Sequence, residues 1–269
     1  MASICKIGDL KIAYTKSGSG PPLLLVHGAE GSHRMFDAIT PHLAGDFTVI
    51  AYDQRDCGDT ENPQTPTSLI DLAEDAKALL SALGYRRAHV YGTSFGGRVA
   101  QVLALCHGDV VVRLVLGSTW PLPRALEESN RETIREIGRL RSLLPASAEA
   151  LAEYFFPSSF LDTHPQFKDV FKSAQPDSER SQRRFRTVGD CPSLDLASLP
   201  MPTLLLAGEL DKVVPPRVTL GMAAMIRDSE AILLDGVGHA GCLQAPEIIA
   251  GHIKRHCPAD AHTTDVPSA

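Results

Sequence analysis

The sequence predicts a doubly wound α/β fold with a mostly parallel sheet and an inserted helical segment. Apolar runs of strand length, at 23–26 and 47–52, lack polar alternation, which is typical of strands covered on both faces. An amphipathic stretch at 69–83 lies between such runs, as the crossovers of a parallel sheet require. Glycine-rich and polar loops follow the runs, as at the ligand-binding edge of open α/β sheets.

The length and composition suit one domain with its own core, since 43% of the 269 residues are hydrophobic. The net charge of -6 offers no positive field for nucleic acid or for an anionic membrane. The N-terminus has no signal-like apolar stretch, and no run approaches the roughly 18 apolar residues of a membrane helix, so we expect a cytoplasmic protein. The six cysteines form no Cys-x-x-Cys pair, which favours free thiols and predicts neither a metal nor another cofactor.

The first half of the chain predicts alternating elements. Residues 4–17 form two weakly alternating runs around Gly8-Asp9, as in an antiparallel hairpin at a sheet edge. A helical stretch at 35–43 then connects the two buried strands. The stretch at 69–83 ends at Gly84 and predicts a helix that covers one face of the sheet.

The regular alternation lapses after a predicted strand at 110–117. Residues 121–199 contain six of the nine phenylalanines and helical runs such as 132–144. We expect them to form a helical cap inserted into an α/β core of residues 1–120 and 200–257. The cap phenylalanines are expected mainly to pack against one another.

The end of the chain closes the predicted sheet. Strands return at 202–208 and at 231–234. The tail at 258–269 is polar and has no periodicity, so it is predicted to be disordered.

A Gly-x-Ser-x-Gly motif at 92–96 lies between an apolar run at 88–90 and a helical pattern at 99–104. A serine between a buried strand and a helix start lies on a very tight turn, which requires small flanking residues. The turn presents the Ser94 hydroxyl, and the helix start leaves the Phe95 N–H unpaired beside it. The segment therefore predicts both a nucleophile and an oxyanion donor.

A serine hydroxyl needs a base to take its proton and an acid to orient that base. His239 and Asp211 each follow the carboxyl end of a predicted strand, where both side chains can converge on Ser94. Asp235 is the rival acid, but it precedes a Gly-Val-Gly turn and is expected to point elsewhere. These residues predict a triad of Ser94, Asp211 and His239.

Five segments, in this order, resemble the α/β-hydrolase-fold serine hydrolases over nearly the whole chain except the tail. The segments are His27-Gly28, Asp53-x-Arg55, residues 92–97, residues 208–215 and Gly238-His239. The resemblance implies that Ser94 is the nucleophile, Asp211 the orienting acid and His239 the base. It also implies that Ala29, which follows His-Gly, supplies a second oxyanion N–H together with Phe95.

Two loops depart from the family pattern. The usual Arg-Gly-x-Gly-x-Ser sequence reads Arg-Asp-Cys-Gly-Asp-Thr at 55–60, and the oxyanion loop holds an acid, Glu30. The Arg-Asp form is similar to some methylesterase and iminopeptidase relatives. A peptidase is disfavoured because the Gly/Pro-rich loop of the proline iminopeptidases is absent. Glu30 is either a solvated carboxylate or a group at the pocket mouth that repels anions, and both interpretations remain open.

Two other groups allow a structural and a functional interpretation. His27 is expected to hydrogen-bond its own loop rather than to act in catalysis. The arginines of the run at 180–186 either hold a substrate carboxylate or form a solvated, salt-bridged helix face, and nearby Glu179 and Asp190 favour the solvated face. The members of the run are Arg180, Arg183, Arg184 and Arg186.

The predicted function is cofactor-free hydrolysis of a small or medium carboxylic ester or lactone through an acyl-enzyme. The expected partner is this small-molecule substrate, with no nucleic acid and no membrane. A thioesterase, a carbon–carbon bond hydrolase or a perhydrolase would share all of these residues. A ligand receptor or regulatory binding protein with slow turnover is an alternative of a different class. The sequence leaves the natural substrate and the oligomeric state open.

Overall fold

The structure is a computed structural model, and it describes residues 2–29, 31–63, 67–174 and 178–258. Glu30 lies outside these ranges, so both interpretations of its carboxylate stay predictions. The expected disorder of the tail also stays a prediction, because residues 259–269 lie outside the described residues. No helix in the described part of the chain is long and apolar enough to cross a membrane.

Within these ranges, eight strands form one sheet. They are β1 (Ser3–Ile7), β2 (Leu10–Ser17), β3 (Pro22–Val26), β4 (Thr48–Tyr52), β5 (Ala88–Thr93), β6 (Val111–Gly117), β7 (Thr203–Gly208) and β8 (Ser229–Leu234). Their order is β1-β2-β4-β3-β5-β6-β7-β8. The pairs β1–β2 and β2–β4 are antiparallel, and every other neighbouring pair is parallel. The predicted fold class, a mostly parallel α/β sheet, is confirmed.

The described helices connect the strands and cover the sheet. They are α1 (Thr40–Leu43), α2 (Leu69–Ala82), α3 (Phe95–Cys106), α4 (Glu127–Arg141), α5 (Ala148–Phe155), α6 (Ser158–Thr163), α7 (Glu179–Val188), α8 (Pro216–Leu220), α9 (Gly241–Gln244) and α10 (Pro246–His256). The stretch predicted to be helical at 35–43 contains two short helices instead of one continuous helix. A 3₁₀ helix, His33–Phe36, is followed there by the four-residue α1, because Pro41 lacks an N–H and fits only at a helix start.

The continuous apolar runs of the central strands are explained by burial on both sheet faces. Leu24 of β3 packs in a cluster with residues of α2 and α3, whereas its neighbours Leu23 and Leu25 pack in a second cluster with residues of α10. Side chains alternate between the faces of a strand, so a strand covered on both sides needs apolar residues at every position.

We refer to residues 121–199, which connect β6 to β7, as the cap segment. Its phenylalanines pack together as expected, with the ring centroids of Phe156, Phe160 and Phe167 5.1–5.5 Å apart. Leu151 of α5 is fully buried in the same hydrophobic cluster as the sheet residues. The cap segment therefore packs directly on the α/β part of the chain.

The turn between β5 and α3 brings three backbone segments into close contact. Ser94 has a positive φ of 54° and a ψ of -126°, a strained conformation for a residue with a side chain. A Cβ atom on Gly92 would collide with Gly96 O, and a Cβ atom on Gly96 would collide with the carbonyl oxygens of Val26 and His27. Only a residue without a side chain lets α3 begin this close to the end of β3.

We predict that Gly96→Ala destabilises the fold by about 3 kcal/mol, because two backbone carbonyl groups cannot move aside as a flexible side chain would. For a chain of this size that loss lowers Tm by roughly 6–12 °C, measured by thermal unfolding. Gly138→Ala is the control, since Gly138 is an exposed position of α4 with no atom within 4 Å of the added Cβ. It should stabilise by up to about 1 kcal/mol. Equal Tm values for the two variants would contradict the close contact.

Candidate active site

Three side chains from three loops meet at the carboxyl edge of the sheet. Ser94 follows β5, Asp211 follows β7 and His239 follows β8. The Ser94 Oγ lies 3.0 Å from His239 Nε2, and His239 Nδ1 lies 2.9 Å from Asp211 Oδ2 and 3.0 Å from Oδ1. The side chain of Asp211 is fully buried and that of His239 is 4% exposed. This geometry lets the histidine accept the serine proton while its other ring N–H donates to the carboxylate.

The Asp211 carboxylate is fixed by its own loop. Its Oδ1 accepts hydrogen bonds from the backbone N–H groups of Val213 (2.9 Å) and Val214 (2.8 Å). Asp235, the rival acid, is exposed, and its carboxylate forms no described hydrogen bond with His239. The structure therefore brings Asp211, and not Asp235, to the histidine.

The cap segment contacts the loops that carry the acid and the base. Asn130 lies at a kink in α4, with φ -152° and ψ 49°, and its Nδ2 donates to Lys212 O (2.8 Å) and Val213 O (3.0 Å). The Phe155 ring packs edge-on against His239, with the ring centroids 5.4 Å apart. Sequence reasoning missed Asn130, because only the kink exposes its role.

The predicted oxyanion donors are the backbone N–H groups of Phe95, which follows Ser94, and of Ala29, which follows Gly28. A Cβ atom on Gly28 would lie 3.4 Å from Ser94 Cβ, which places the Gly28–Ala29 peptide beside the serine. Neither the Ala29 N–H nor the Phe95 N–H donates a hydrogen bond to a residue that the structure describes. Both groups are therefore available to an oxygen that develops negative charge near Ser94.

His27 holds the peptide that carries the Ala29 N–H. Its Nδ1 donates to Gly28 O (2.7 Å), and its Nε2 accepts from the Gln54 N–H (3.1 Å). The carbonyl and the N–H of one trans peptide point in opposite directions, so fixing Gly28 O also directs the Ala29 N–H. Burial, aided by the positive charge of Arg184, lowers the pKa of His27 to about 4. The ring is therefore neutral near pH 7 and bonds its own loop, as the sequence predicted.

The environment of the α7 arginines differs from the solvated face that the sequence favoured. The run was predicted to be a solvated helix face, but Arg184 is only 3% exposed. Arg183 forms a salt bridge with the buried Asp56 at 2.8 Å, and Arg180 Nη2 donates to Gly58 O at 2.9 Å. Because α7 packs on the loop at 53–60, contacts with that loop replace water around these side chains. Arg186 stays exposed.

Arg184 contacts the residues around the predicted oxyanion donors. Its Nε donates to Ala29 O (2.8 Å) and its Nη2 to Gln54 Oε1 (2.8 Å). The guanidinium carbon lies 4.5 Å from the centroid of the Phe95 ring. Its buried Nη1 has no hydrogen-bond partner among the described residues. Sequence reasoning named Arg184 but could not separate it from its solvated neighbours.

One group of described side chains, His33, Asp53 and Asp59, has the spacing of a metal site. The Asp53 Oδ1 already accepts from the His33 N–H (2.5 Å) and Nδ1 (2.8 Å), and its Oδ2 accepts from the Asp59 N–H (2.6 Å). A Cβ atom on Gly58 would collide with the same carboxylate. These bonds give Asp53 a structural role as the anchor of the loop at 53–60.

The arrangement of strands and catalytic-type side chains has a counterpart in a known family. Residues 21–246 match the family model described as the alpha/beta hydrolase fold. The chain is a member of the α/β-hydrolase family. Proteins of this family that resemble the chain have names that assign them different substrates.

Three similar proteins illustrate this variety. A soluble epoxide hydrolase from Corynebacterium sp. strain C12 is 38% identical over 130 residues, which are 45% of this chain and 46% of that protein, so the chain spans about half the length of this relative. A 2-hydroxymuconate semialdehyde hydrolase from Pseudomonas putida is 30% identical over 242 residues, 82% of each chain. A thermophilic esterase from Thermogutta terrifontis, solved with malate bound, is 25% identical with a TM-score of 0.80, over 95% of this chain and 97% of that one.

We predict that Asp211→Asn lowers the rate at which a fluorophosphonate probe labels Ser94 and lowers kcat for any substrate by about 10⁴-fold, because an asparagine favours the wrong histidine tautomer. Asp235→Asn is the matched control, and it should leave both rates within about twofold of the wild type, in the range of an exposed substitution. Similar losses in the two variants would overturn the choice of acid.

A second prediction concerns pH. Between about pH 6.5 and pH 4 the unfolded chain binds a proton at His27 that the folded chain does not, so stability falls as the pH falls through this window. The His27 contribution to this loss is about 3 kcal/mol. The free energy of unfolding is measured by urea titration at several pH values. His27→Asn should lose the His27 share of its slope against pH, whereas His42→Asn, at an exposed position, should keep the full slope. An unchanged slope in His27→Asn would contradict the neutral buried ring.

Proposed function

We propose that the chain hydrolyses a small or medium carboxylic ester or lactone through an acyl-enzyme at Ser94. The observation that carries the proposal is the continuous chain of contacts from Ser94 Oγ through His239 to the buried Asp211 carboxylate. A serine with an adjacent, oriented base is the arrangement that activates a hydroxyl as a nucleophile.

In the proposed reaction, Ser94 Oγ attacks the substrate carbonyl carbon while His239 Nε2 takes the hydroxyl proton. Asp211 stabilises the resulting imidazolium. The carbonyl oxygen becomes an oxyanion that accepts from the Ala29 and Phe95 N–H groups, and removal of such a donor costs about 3 kcal/mol. When the tetrahedral intermediate collapses, His239 returns the proton to the leaving alkoxide. Water then repeats the sequence on the acyl-enzyme and releases the carboxylic acid.

The nucleophile type favours an acyl substrate over an epoxide or an alkyl halide. Attack by a serine oxygen on a saturated carbon would form an ether, and a histidine base with backbone donors has no means of hydrolysing an ether. Attack on a carbonyl forms an ester, which the same groups can hydrolyse. The epoxide named for the Corynebacterium relative is therefore a poor candidate substrate here.

Hydrolysis of a carbon–carbon bond next to a carbonyl is the second candidate. It is favoured by the identity of 30% to the 2-hydroxymuconate semialdehyde hydrolase over 82% of both chains. This reaction would use the same serine, base and oxyanion donors, with a carbon leaving group that takes the proton. A binding protein that has the same three side chains but does not use them would differ from both candidate hydrolases, because it would turn over neither kind of substrate.

We predict that kcat/KM for straight-chain p-nitrophenyl esters rises and then falls with acyl length, with an optimum at short to medium length. Phe155 offers an apolar wall beside His239, and each methylene buried there contributes about 0.8 kcal/mol until the cap segment blocks further length. The same acyl group presented as an ester, a thioester and a lactone identifies the preferred bond.

Ser94→Ala is the control for this series. It should abolish labelling by a fluorophosphonate and lower kcat on the order of 10⁶-fold for every ester. A steady increase in kcat/KM up to long fatty acyl chains would show that the cap segment does not close the pocket. Persistent turnover by the alanine variant would reject the acyl-enzyme.

A further inference from the structure

The cap segment reaches the loops around Ser94 through one face of α7. Arg180 and Arg183 contact the loop at 53–60, through Gly58 O and Asp56. Arg184, on the same helix, reaches past this loop to Ala29 O at 2.8 Å. It is thus the α7 arginine that contacts the loop following β3, where one of the two proposed oxyanion donors lies.

The fork of the Arg184 guanidinium joins three parts of the site. Its Nε donates to Ala29 O, and its Nη2 donates to Gln54 Oε1. The Gln54 Nε2 in turn donates to His27 O at 2.6 Å. The guanidinium also lies over the ring of Phe95, the residue with the other proposed donor. A planar, rigid fork holds such partners in one relative geometry, which a flexible ammonium group cannot do.

The orientation of the Ala29 N–H depends on both peptides that flank Ala29. His27 holds the preceding peptide through Gly28 O, and Arg184 holds the following peptide through Ala29 O. With both carbonyls held, rotation about the Ala29 backbone is restricted and its N–H keeps one direction. One of the two restraints comes from the core and the other from the cap segment.

From these contacts we infer that Arg184 is a positioning residue through which the docked cap segment completes the oxyanion hole. The inference rests on the proposed acyl chemistry, because it needs an oxyanion at the Ala29 and Phe95 amides. Loss of the Arg184 fork leaves Ser94, His239 and Asp211 in contact but lets the Ala29 amide turn away. The predicted defect is therefore in transition-state stabilisation and not in substrate binding.

The free donor of Arg184 suggests the competing role of a substrate anchor. Its Nη1 is buried without a hydrogen-bond partner among the described residues, and no described carboxylate forms a salt bridge with the guanidinium. An anchor for an anionic substrate would act mainly on KM and only for substrates that carry a carboxylate. A positioning residue acts on kcat for neutral and anionic substrates alike, so kinetics separate the two roles.

The test compares Arg184→Met and Arg184→Lys with Arg180→Met. Arg180 is the matched control, because it also lies on α7 and donates to backbone carbonyls of the loop at 53–60, but does not contact Ala29. Three rates are measured for each variant: labelling of Ser94 by a fluorophosphonate, hydrolysis of p-nitrophenyl pentanoate, and hydrolysis of mono-p-nitrophenyl glutarate, which carries a carboxylate.

We expect Arg184→Met to lower the labelling rate and kcat for both esters by a similar factor, about 10- to 100-fold, because a misplaced donor loses most of the stabilisation that a missing donor loses. KM should change by less than about threefold. Arg184→Lys keeps the charge and the apolar stem but not the planar fork, so it should show the same losses in labelling rate and kcat. If Arg184→Met does not fold, the lysine variant alone tests the positioning role. Arg180→Met should stay within about twofold of the wild type.

Two results would overturn the inference. One is a loss confined to the glutarate ester and expressed in KM, which identifies an anchor for the substrate carboxylate. The other is labelling of the Arg184 variants at the rate of Arg180→Met. If the wild type is labelled but hydrolyses no ester or lactone, the proposed function fails, and the labelling rates still decide the role of Arg184.

Discussion

The close approach of α3 to the end of β3 is the constraint on which the site depends. Gly96 lies against the carbonyls of Val26 and His27, with no space for a side chain between them. This contact places the loop that follows β3 beside the strained turn at Ser94. The proposed nucleophile and a proposed oxyanion donor can then come from two different crossovers of the sheet without any long side chain bridging them. The strain at Ser94 is held by the buried parallel strands on both sides.

A chain of buried polar groups extends this constraint outward. Asp53 and Gln54 follow β4 and are almost fully buried, yet their side chains are bonded to His33, to the Asp59 amide and to His27 O. Buried polar groups are tolerated when each has a partner, and a fully bonded network keeps a single arrangement. The loop after β4 therefore restricts the loop after β3 through hydrogen bonds, and the electrically neutral His27 takes part in these bonds.

The sequence predicted most of the sheet and the three side chains that meet at its edge, for physical reasons. Buried parallel strands must be apolar at every position, and a serine on a tight turn must have glycines beside it, so both features appear as local patterns. The stretch predicted to be helical at 35–43 is divided into two short helices. Its spacing of apolar residues did not show this division, which arises because Pro41 fits only near a helix start. The division into core and cap is a proposal that the geometry supports. The same holds for the catalytic roles.

The burial of Arg184 escaped sequence reasoning because no local pattern encodes it. The charged spacing of α7 is that of a solvated helix, and burial arises only when the helix docks on a loop distant in sequence. The composition of α7 (Glu179–Val188) nevertheless indicated polar contacts with the core, since Phe185 and Val188 are its only strongly apolar residues. A helix with so little apolar surface cannot dock by hydrophobic burial alone, so its contacts with the core must be polar.

The contacts of the described cap segment with the loops around the site include three made by side chains of different helices. Asn130 bonds the acid loop, Phe155 packs on the base, and Arg184 bonds the loop that follows β3. Under the proposed function, the cap residues that bound the substrate space are therefore also those that contact the loops of the reacting groups, or are their neighbours. Under the proposed function, we expect a substitution that reshapes this space to disturb an orienting contact as well, so that specificity and rate change together. The α/β part of the chain alone would contain Ser94, Asp211 and His239, but the loops of Asp211 and His239 would lose their contacts with Asn130 and Phe155.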